Sequence, residues 1–256
     1  VSVLDDAVTE HRSSHVFALF SGGHDSLCST ALAADHPAFT AAVHINTGIG
    51  IPETRDFVRE TCRVQGWPLI EMHPDAKTYR DLVREKGMPG GPKAHNTTYY
   101  WLKQRQVRRL VREHKQHPKD RIALVTGIRL SESARRMGAG LSVHVRRSGA
   151  QVWVNPILEW RKADCHDFMD ARELPRNPVV DLLHRSGECL CGALAHYSEI
   201  REIELWYPAA AAEIHACERL AASFGHLEDL WAGRLTVNRH QQRMSLELCS
   251  SCEARA

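Results

Sequence analysis

The chain has 256 residues, 43% of them apolar and 25% charged, with a formal net charge of +2. These are the proportions of an ordinary soluble globular protein, long enough for one large domain or a domain with an appendage. No apolar run is long enough to cross a bilayer, and "VSVLDDAVTEHRSS" does not read as a signal peptide, so a cytoplasmic protein with no membrane partner is expected.

In chain order, "HVFALF" is a short apolar run ending at a glycine turn and predicts a buried parallel strand. "SLCSTALAAD" follows with helical spacing. "FTAAVHIN" predicts a second strand, and "PETRDFVRETCRVQG" a helix opened by Pro52 and closed by Gly66. "WPLIEMH", "RIALVTGI" and "AQVWVNPI" predict further strands. Helical segments are expected around 78–86, 97–115 and "RKADCHDFMDAREL". Strands alternating with helices imply βαβ units and a mostly parallel sheet covered on both faces. Past about residue 185 no buried strand is evident, and segments such as "PAAAAEIHACERLAASFG" predict a helical C-terminal subdomain. The expected division is therefore residues 1–185 and 186–256.

The turn after the first strand reads Ser21, Gly22, Gly23, His24, Asp25, Ser26. A strand-to-helix turn exposes unpaired N–H groups at the positive end of a helix dipole, and glycine lets backbone approach phosphate closely. The two serines can donate hydroxyls to phosphate oxygens. Asp25 would repel phosphate, so it either holds the loop or binds Mg²⁺. A tight turn capped by serine is the plain alternative. In "TGIRLSESARR", Gly127 follows a strand, which puts Arg129, Glu132, Ser133, Arg135 and Arg136 over the same sheet edge. Guanidinium forks suit phosphate or sulfate, and Glu132 is placed to orient one of them. The alternative is a solvated helix start.

"WLKQRQVRRLVREHK" at 101–115 carries an apolar stripe of Leu102, Val107, Leu110 and Val111. Its cations Lys103, Arg105, Arg108, Arg109 and Arg112 form either a solvated face or a platform for nucleic acid.

Of eight cysteines, Cys28, Cys62, Cys165 and Cys217 are single and expected to be buried hydrophobes. Cys189 and Cys191 in C-x-C, with Cys249 and Cys252 in C-x-x-C, can present four thiolates to one metal, either structural Zn²⁺ or an iron–sulfur cluster. His184 and His196, which flank the first pair, are expected at the surface.

"SGGHDS" resembles the PP-loop, SGGxDS, of the N-type ATP pyrophosphatases. "HINTGIGIPET" at 44–54, "TGIRLSESARR" at 126–136 and "NPILEW" at 155–160 are similar to motifs of the phosphoadenosine phosphosulfate (PAPS) reductase-like branch. The four-cysteine set and the basic 101–115 segment resemble those of the sulfur-transfer ATPases of DNA phosphorothioation. The resemblance implies an adenine nucleotide alpha-hydrolase-like (HUP, Rossmann-like) α/β fold that binds ATP with Mg²⁺. It adds Ile45, Thr47 and Gly48 to the nucleotide contacts and brings Lys103 to the active site beside Asp25, Arg129 and Arg135. It moves the metal choice toward [4Fe–4S]. It also implies cleavage of ATP to AMP and pyrophosphate, a nucleic-acid acceptor, and a sulfur-donor protein such as a cysteine desulfurase. A homo-oligomer is compatible with the chain. Two positions depart from the pattern: His24 stands where lysine is frequent, and Asn46 where aspartate is. The alternatives are a PAPS or adenylyl-sulfate reductase, whose C-terminal cysteine motif is missing from "ELCSSCEARA", and a non-catalytic nucleotide-binding module.

Overall fold

The computed structural model describes residues 3–132, 143–227 and 230–236. In chain order these form α1 (Val3–His11), β1 (Ser13–Leu19), α2 (His24–Ala34), β2 (Phe39–Ile45), α3 (Pro52–Gln65), β3 (Leu69–Met72), α4 (Tyr79–Lys86) and α5 (Gly91–Tyr99). A π-helical turn (Tyr100–Gln104) leads into α6 (Arg105–His114), β4 (Arg121–Val125) and a 3-10 turn (Leu130–Glu132). Then come β5 (Val145–Ser148), β6 (Gln151–Val154), α7 (Lys162–Ala171), α8 (Pro178–Leu183), α9 (Glu199–Trp206) and α10 (Pro208–Ser223).

The chain divides into two compact units. Val1–Asp75 with Leu102–Cys189 make the first, and Ala76–Trp101 with the residues from Leu190 onward make the second. Within the second unit α4 packs against α10. Arg80 grips Glu213 with two hydrogen bonds of 2.9 and 2.7 Å, and the Tyr79 hydroxyl donates to the Cys191 carbonyl at 3.0 Å. Such partners lie more than 100 residues apart and leave no trace in local sequence.

The first unit holds a six-stranded sheet of order β3-β2-β1-β4-β6-β5, parallel except for β5. β1, β2, β4 and β6 are mostly apolar runs because both faces of the sheet are covered. Phe17, Val43, Ile122 and Leu124 point to one face, where Val107, Leu110 and Val111 of α6 cover them. Val16, Ala18, Ala123 and Val152 point to the other and meet Leu4 and Ala7 of α1. α2, α3 and α7 share a cluster around Phe20, Leu27, Val58 and Met169. Helix α3 begins with Pro52 and ends in a Schellman turn, with Gly66 left-handed and Trp67 N–H donating to the Cys62 carbonyl at 2.9 Å. Strand β5, "VRRS", was not expected. Its exposed arginines carry no strand pattern, and they protect the sheet's edge from further pairing. No helix among the described residues is long and apolar enough to cross a membrane.

The chain leaves β1 toward β2 and β3, and leaves β4 toward β6 on the other side. A crevice therefore opens at the carboxyl ends of β1 and β4, where open α/β sheets bind their ligands.

Candidate nucleotide site

That crevice is where the glycine loop and the arginine motif meet. Gly23 precedes α2 as its N-cap without a side-chain hydrogen bond, so the first turn has no side-chain cap. Gly22 has φ +81°, and a Cβ there would stand 2.7 Å from Thr54 Cγ2. Ser26 Oγ donates to the Gly23 carbonyl at 2.8 Å and accepts from Ser21 N–H at 3.3 Å; the two serine hydroxyls lie 3.1 Å apart. The serines thus close the loop on itself.

Gly127 passes directly over this turn, since a Cβ there would lie 2.5 Å from the Asp25 carbonyl carbon and 2.6 Å from Ser26 N. Two residues on, Arg129 Nε forms an ion pair with Asp25 Oδ1 at 2.9 Å, and Arg129 Nη1 donates to Ser131 Oγ at 2.9 Å. Asp25 is thereby tied to the segment that follows β4. Glu132 closes the 3-10 turn. Ser133, Arg135 and Arg136 lie outside the described residues.

His24 is 9% exposed, and its ring meets His166 edge-on with centroids 5.6 Å apart. Its Nε2 lies 4.0 Å from Asp181 Oδ1. Burial pushes the His24 pKa below the ordinary imidazole value, outweighing the Asp181 carboxylate. Burial thus works against a charge on the residue that stands where lysine is frequent.

At the end of β2, past Ile45, Asn46 donates to Glu71 Oε1 at 2.9 Å and accepts from Gly48 N–H at 3.0 Å. Arg59 binds Glu71 with two hydrogen bonds of 2.9 Å. The segment 47–54 is clasped by residues 186–188. Thr47 Oγ1 donates to the Glu188 carbonyl at 3.1 Å, Ile51 N–H to Gly187 at 2.9 Å, and Thr54 Oγ1 to Ser186. Lys103 is drawn into the same neighbourhood, its Nζ 2.5 Å from Glu188 Oε2.

Residue reading missed Asn177 and Glu188. Fully buried Asn177 donates to the Gly22 carbonyl at 2.8 Å while accepting from Val179 N–H at 3.0 Å as the cap of α8. The dipeptide Asn177-Pro178 signals a helix start, but not that its amide reaches the glycine loop. Of the basic segment, Arg105 and Arg109 are tied to Asp75 at 2.9 and 3.5 Å, while Arg108 and Arg112 are exposed. Its apolar stripe is buried, as expected.

Cys28, Cys62, Cys165 and Cys217 are buried, and burial raises the thiols of Cys62 and Cys217 to about 12, which makes them inert. His184 and His196 are exposed. Cys249 and Cys252 lie outside the described residues, and among those described no group of three or more His, Cys, Asp or Glu is placed to hold a metal. Around Cys191 the backbone is fixed. The Leu190 carbonyl accepts the indole N–H of fully buried Trp231 at 2.7 Å, and the Cys191 carbonyl accepts from Tyr79.

Residues 15–190 match the phosphoadenosine phosphosulfate reductase domain. An uncharacterized protein of Methanocaldococcus jannaschii is 26% identical over 195 residues, 73% of this chain and 44% of that protein; the chain thus spans less than half of that relative's length. Among solved structures, the phosphoadenylyl-sulfate reductase from Candida auris in a phosphate complex superposes with a TM-score of 0.52. It is 18% identical, over 70% of this chain and 82% of that one. The U34-tRNA thiolase NcsA from Methanococcus maripaludis, with its [4Fe–4S] cluster, gives a TM-score of 0.47 at 15% identity, over 86% and 80% of the two chains. The match across the sheet, the glycine loop and the arginine motif means that this chain belongs to the phosphoadenosine phosphosulfate reductase domain family.

Proposed function

We propose that the chain is an adenine-nucleotide-dependent sulfur-transfer enzyme that cleaves ATP to AMP and pyrophosphate in order to adenylate an acceptor. The observation that supports this most is the α2 N-terminus without a side-chain cap, crossed by Gly127 and braced by the Asp25–Arg129 ion pair. Preorganised N–H donors beside a fixed guanidinium favour charge that develops on a departing polyphosphate.

An acceptor oxygen attacks the α-phosphorus, the bond to the oxygen bridging the β-phosphate breaks, and pyrophosphate leaves with the electron pair. A sulfur nucleophile then bonds to the atom that carries the activated oxygen, the bond from that atom to the oxygen breaks, and AMP departs with it. The loop from Gly22 to Ser26 binds the leaving phosphates, Thr47 and Gly48 line the nucleoside end, and Arg129 and Lys103 hold negative charge in place. Arg135 and Arg136, outside the described residues, are proposed as further phosphate-binding arginines. Mg²⁺ arriving with ATP supplies charge neutralisation. Cys189, Cys191, Cys249 and Cys252 would hold a [4Fe–4S] cluster, or Zn²⁺ in its place; the cluster supplies a cross-link between the cysteine pairs and a redox-active centre. Exposed Arg108 and Arg112 on α6 suit a nucleic-acid acceptor, and a cysteine desulfurase would provide the sulfur.

The family's name favours a second reading, reduction of an adenylyl sulfate. Anaerobically purified protein is incubated with radiolabelled ATP, Mg²⁺ and tRNA or DNA while iron content and visible spectrum are recorded. Acceptor-dependent release of AMP and pyrophosphate supports the proposal. Reduction of adenylyl sulfates without ATP turnover establishes the second reading, and nucleotide binding without either reaction leaves a binding module. A colourless, iron-free, zinc-loaded protein refutes the cluster.

A further inference from the structure

Glu188 stands immediately before Cys189, yet its side chain belongs to the nucleotide site. It is 6% exposed, and its Oε2 lies 2.5 Å from Lys103 Nζ. Its second oxygen, Oε1, is buried and accepts no hydrogen bond. The carboxylate therefore depends on Lys103 for its compensation. Separating the pair would leave the buried carboxylate without its partner out of water, which favours keeping the half-buried ammonium beside it.

The backbone that carries Glu188 is pinned in turn. Its carbonyl accepts from Thr47 Oγ1 at 3.1 Å, and the neighbouring carbonyl of Gly187 accepts from Ile51 N–H at 2.9 Å. Gly50 presses so closely that a Cβ there would stand 2.3 Å from the Glu188 carbonyl oxygen. Lys103, by contrast, is a point charge on a flexible four-carbon stem, leaving a π-helical turn between α5 and α6.

We infer that Glu188 is a positioning residue: it fixes the Lys103 ammonium against the 47–51 segment so that the charge meets the anionic part of a bound adenine nucleotide. This rests on the nucleotide-site reading proposed above, and it gives "GECLCG" a second role besides carrying cysteines.

The test is a double-mutant cycle on the full chain, read as the ATP dissociation constant with Mg²⁺ present and requiring no turnover. Lys103→Met is expected to weaken ATP binding by about tenfold or more, and Glu188→Gln by a similar factor. In the Lys103→Met background, Glu188→Gln is expected to cost nothing further, because its action runs through the lysine. Glu188→Asp keeps the charge and withdraws it by one methylene. It serves as the second arm should Glu188→Gln fail to fold, with the same loss and the same dependence on Lys103 expected. Multiplicative losses in the double variant, or wild-type affinity in Glu188→Gln or Glu188→Asp, overturn the inference while leaving the nucleotide site standing. Absence of ATP binding by the wild-type chain overturns both.

Discussion

Arg129 Nε lies 2.9 Å from Asp25 Oδ1, so the residue two places after the β4 glycine is bound to the first turn of α2. The two halves of the crevice are locked by a charge pair in which Arg129 is 9% exposed and Asp25 22%. Removing one partner from such a pair strands the other. Arg129→Met is expected to destabilise the first unit by about 3 kcal/mol and to weaken ATP binding together with it. Urea unfolding and an ATP titration on the same preparation check this. Wild-type values in both would mean that the pair neither braces the loop nor meets the nucleotide.

Gly127 and Gly48 separate two reasons for a glycine. At Gly127 the added methyl would collide with backbone atoms of Asp25 and Ser26 at 2.5–2.6 Å, and backbone in the first turn of a helix cannot yield. Gly127→Ala is expected to push the arginine segment off the loop and abolish measurable ATP binding. At Gly48 no atom lies within 4 Å, but φ is +77°. Gly48→Ala is therefore expected to cost about 1 kcal/mol of stability and to leave a binding-competent protein. Equal effects at the two positions would refute the packing argument.

The Asn46 departure has a partner that explains it. Its amide donates to Glu71 Oε1, which a carboxylate in that place could not do. Burial raises the Glu71 pKa, but hydrogen bonds from Asn46 and Arg59 outweigh it and hold the carboxyl below its usual range. That stabilisation is present above the unfolded carboxyl value and is lost as pH falls through the lower folded one. Asn46→Asp replaces a donor with a like charge. The variant is expected to be less stable than wild type at neutral pH, with the gap closing in acid as one carboxyl takes up a proton. A gap that widens on acidification would contradict the pairing.

Much of the first unit was legible because buried parallel strands and capped helices announce themselves locally. "HVFALF" has only one way to be buried on both faces, and Pro52 and Gly66 bracket α3. The glycine loop and Arg129 were legible for the same reason, since each follows a strand at one sheet edge. Asn177 and Glu188 were not, because their roles depend on contacts with Gly22, Thr47 and Lys103 across 85 to 155 residues of chain. The grouping of α4 with α10 was hidden likewise: Arg80 and Glu213 are ordinary surface charges until the fold makes them neighbours.

In the second unit, His215 joins α9 to α10, with Nδ1 2.9 Å from Glu218 Oε2 and Nε2 2.8 Å from Glu204 Oε1. The hydrogen bond to Glu218 raises its pKa above the ordinary imidazole value; burial opposes this, and Glu204 reinforces it. Because the folded value is the higher one, the stabilisation is complete below the unfolded pKa and is lost as pH rises through the folded pKa. Thermal unfolding of the wild type is expected to show that decline on the alkaline side, and His215→Gln to lack it. Parallel profiles would exclude the histidine as the cause.

His24 carries the last prediction, and its sign is set by burial. The groups facing it are Asp181 and Asp25, which favour its charge, and His166 and Arg176, which oppose it. The net effect with burial is a lowered pKa, so the imidazole takes up its proton less readily than an ordinary histidine, where a lysine would carry a permanent charge. At about pH 8, His24→Gln is expected to bind ATP as the wild type does. As pH falls below the ordinary imidazole range the wild-type loop gains a cation beside the bound phosphates, and its affinity is expected to rise while that of His24→Gln stays flat. The curves must be compared over a range in which ATP's own protonation is matched, which the variant supplies as an internal control. A wild-type affinity that rises toward alkaline pH, or one that tracks the variant throughout, would show that the imidazole does not face the nucleotide.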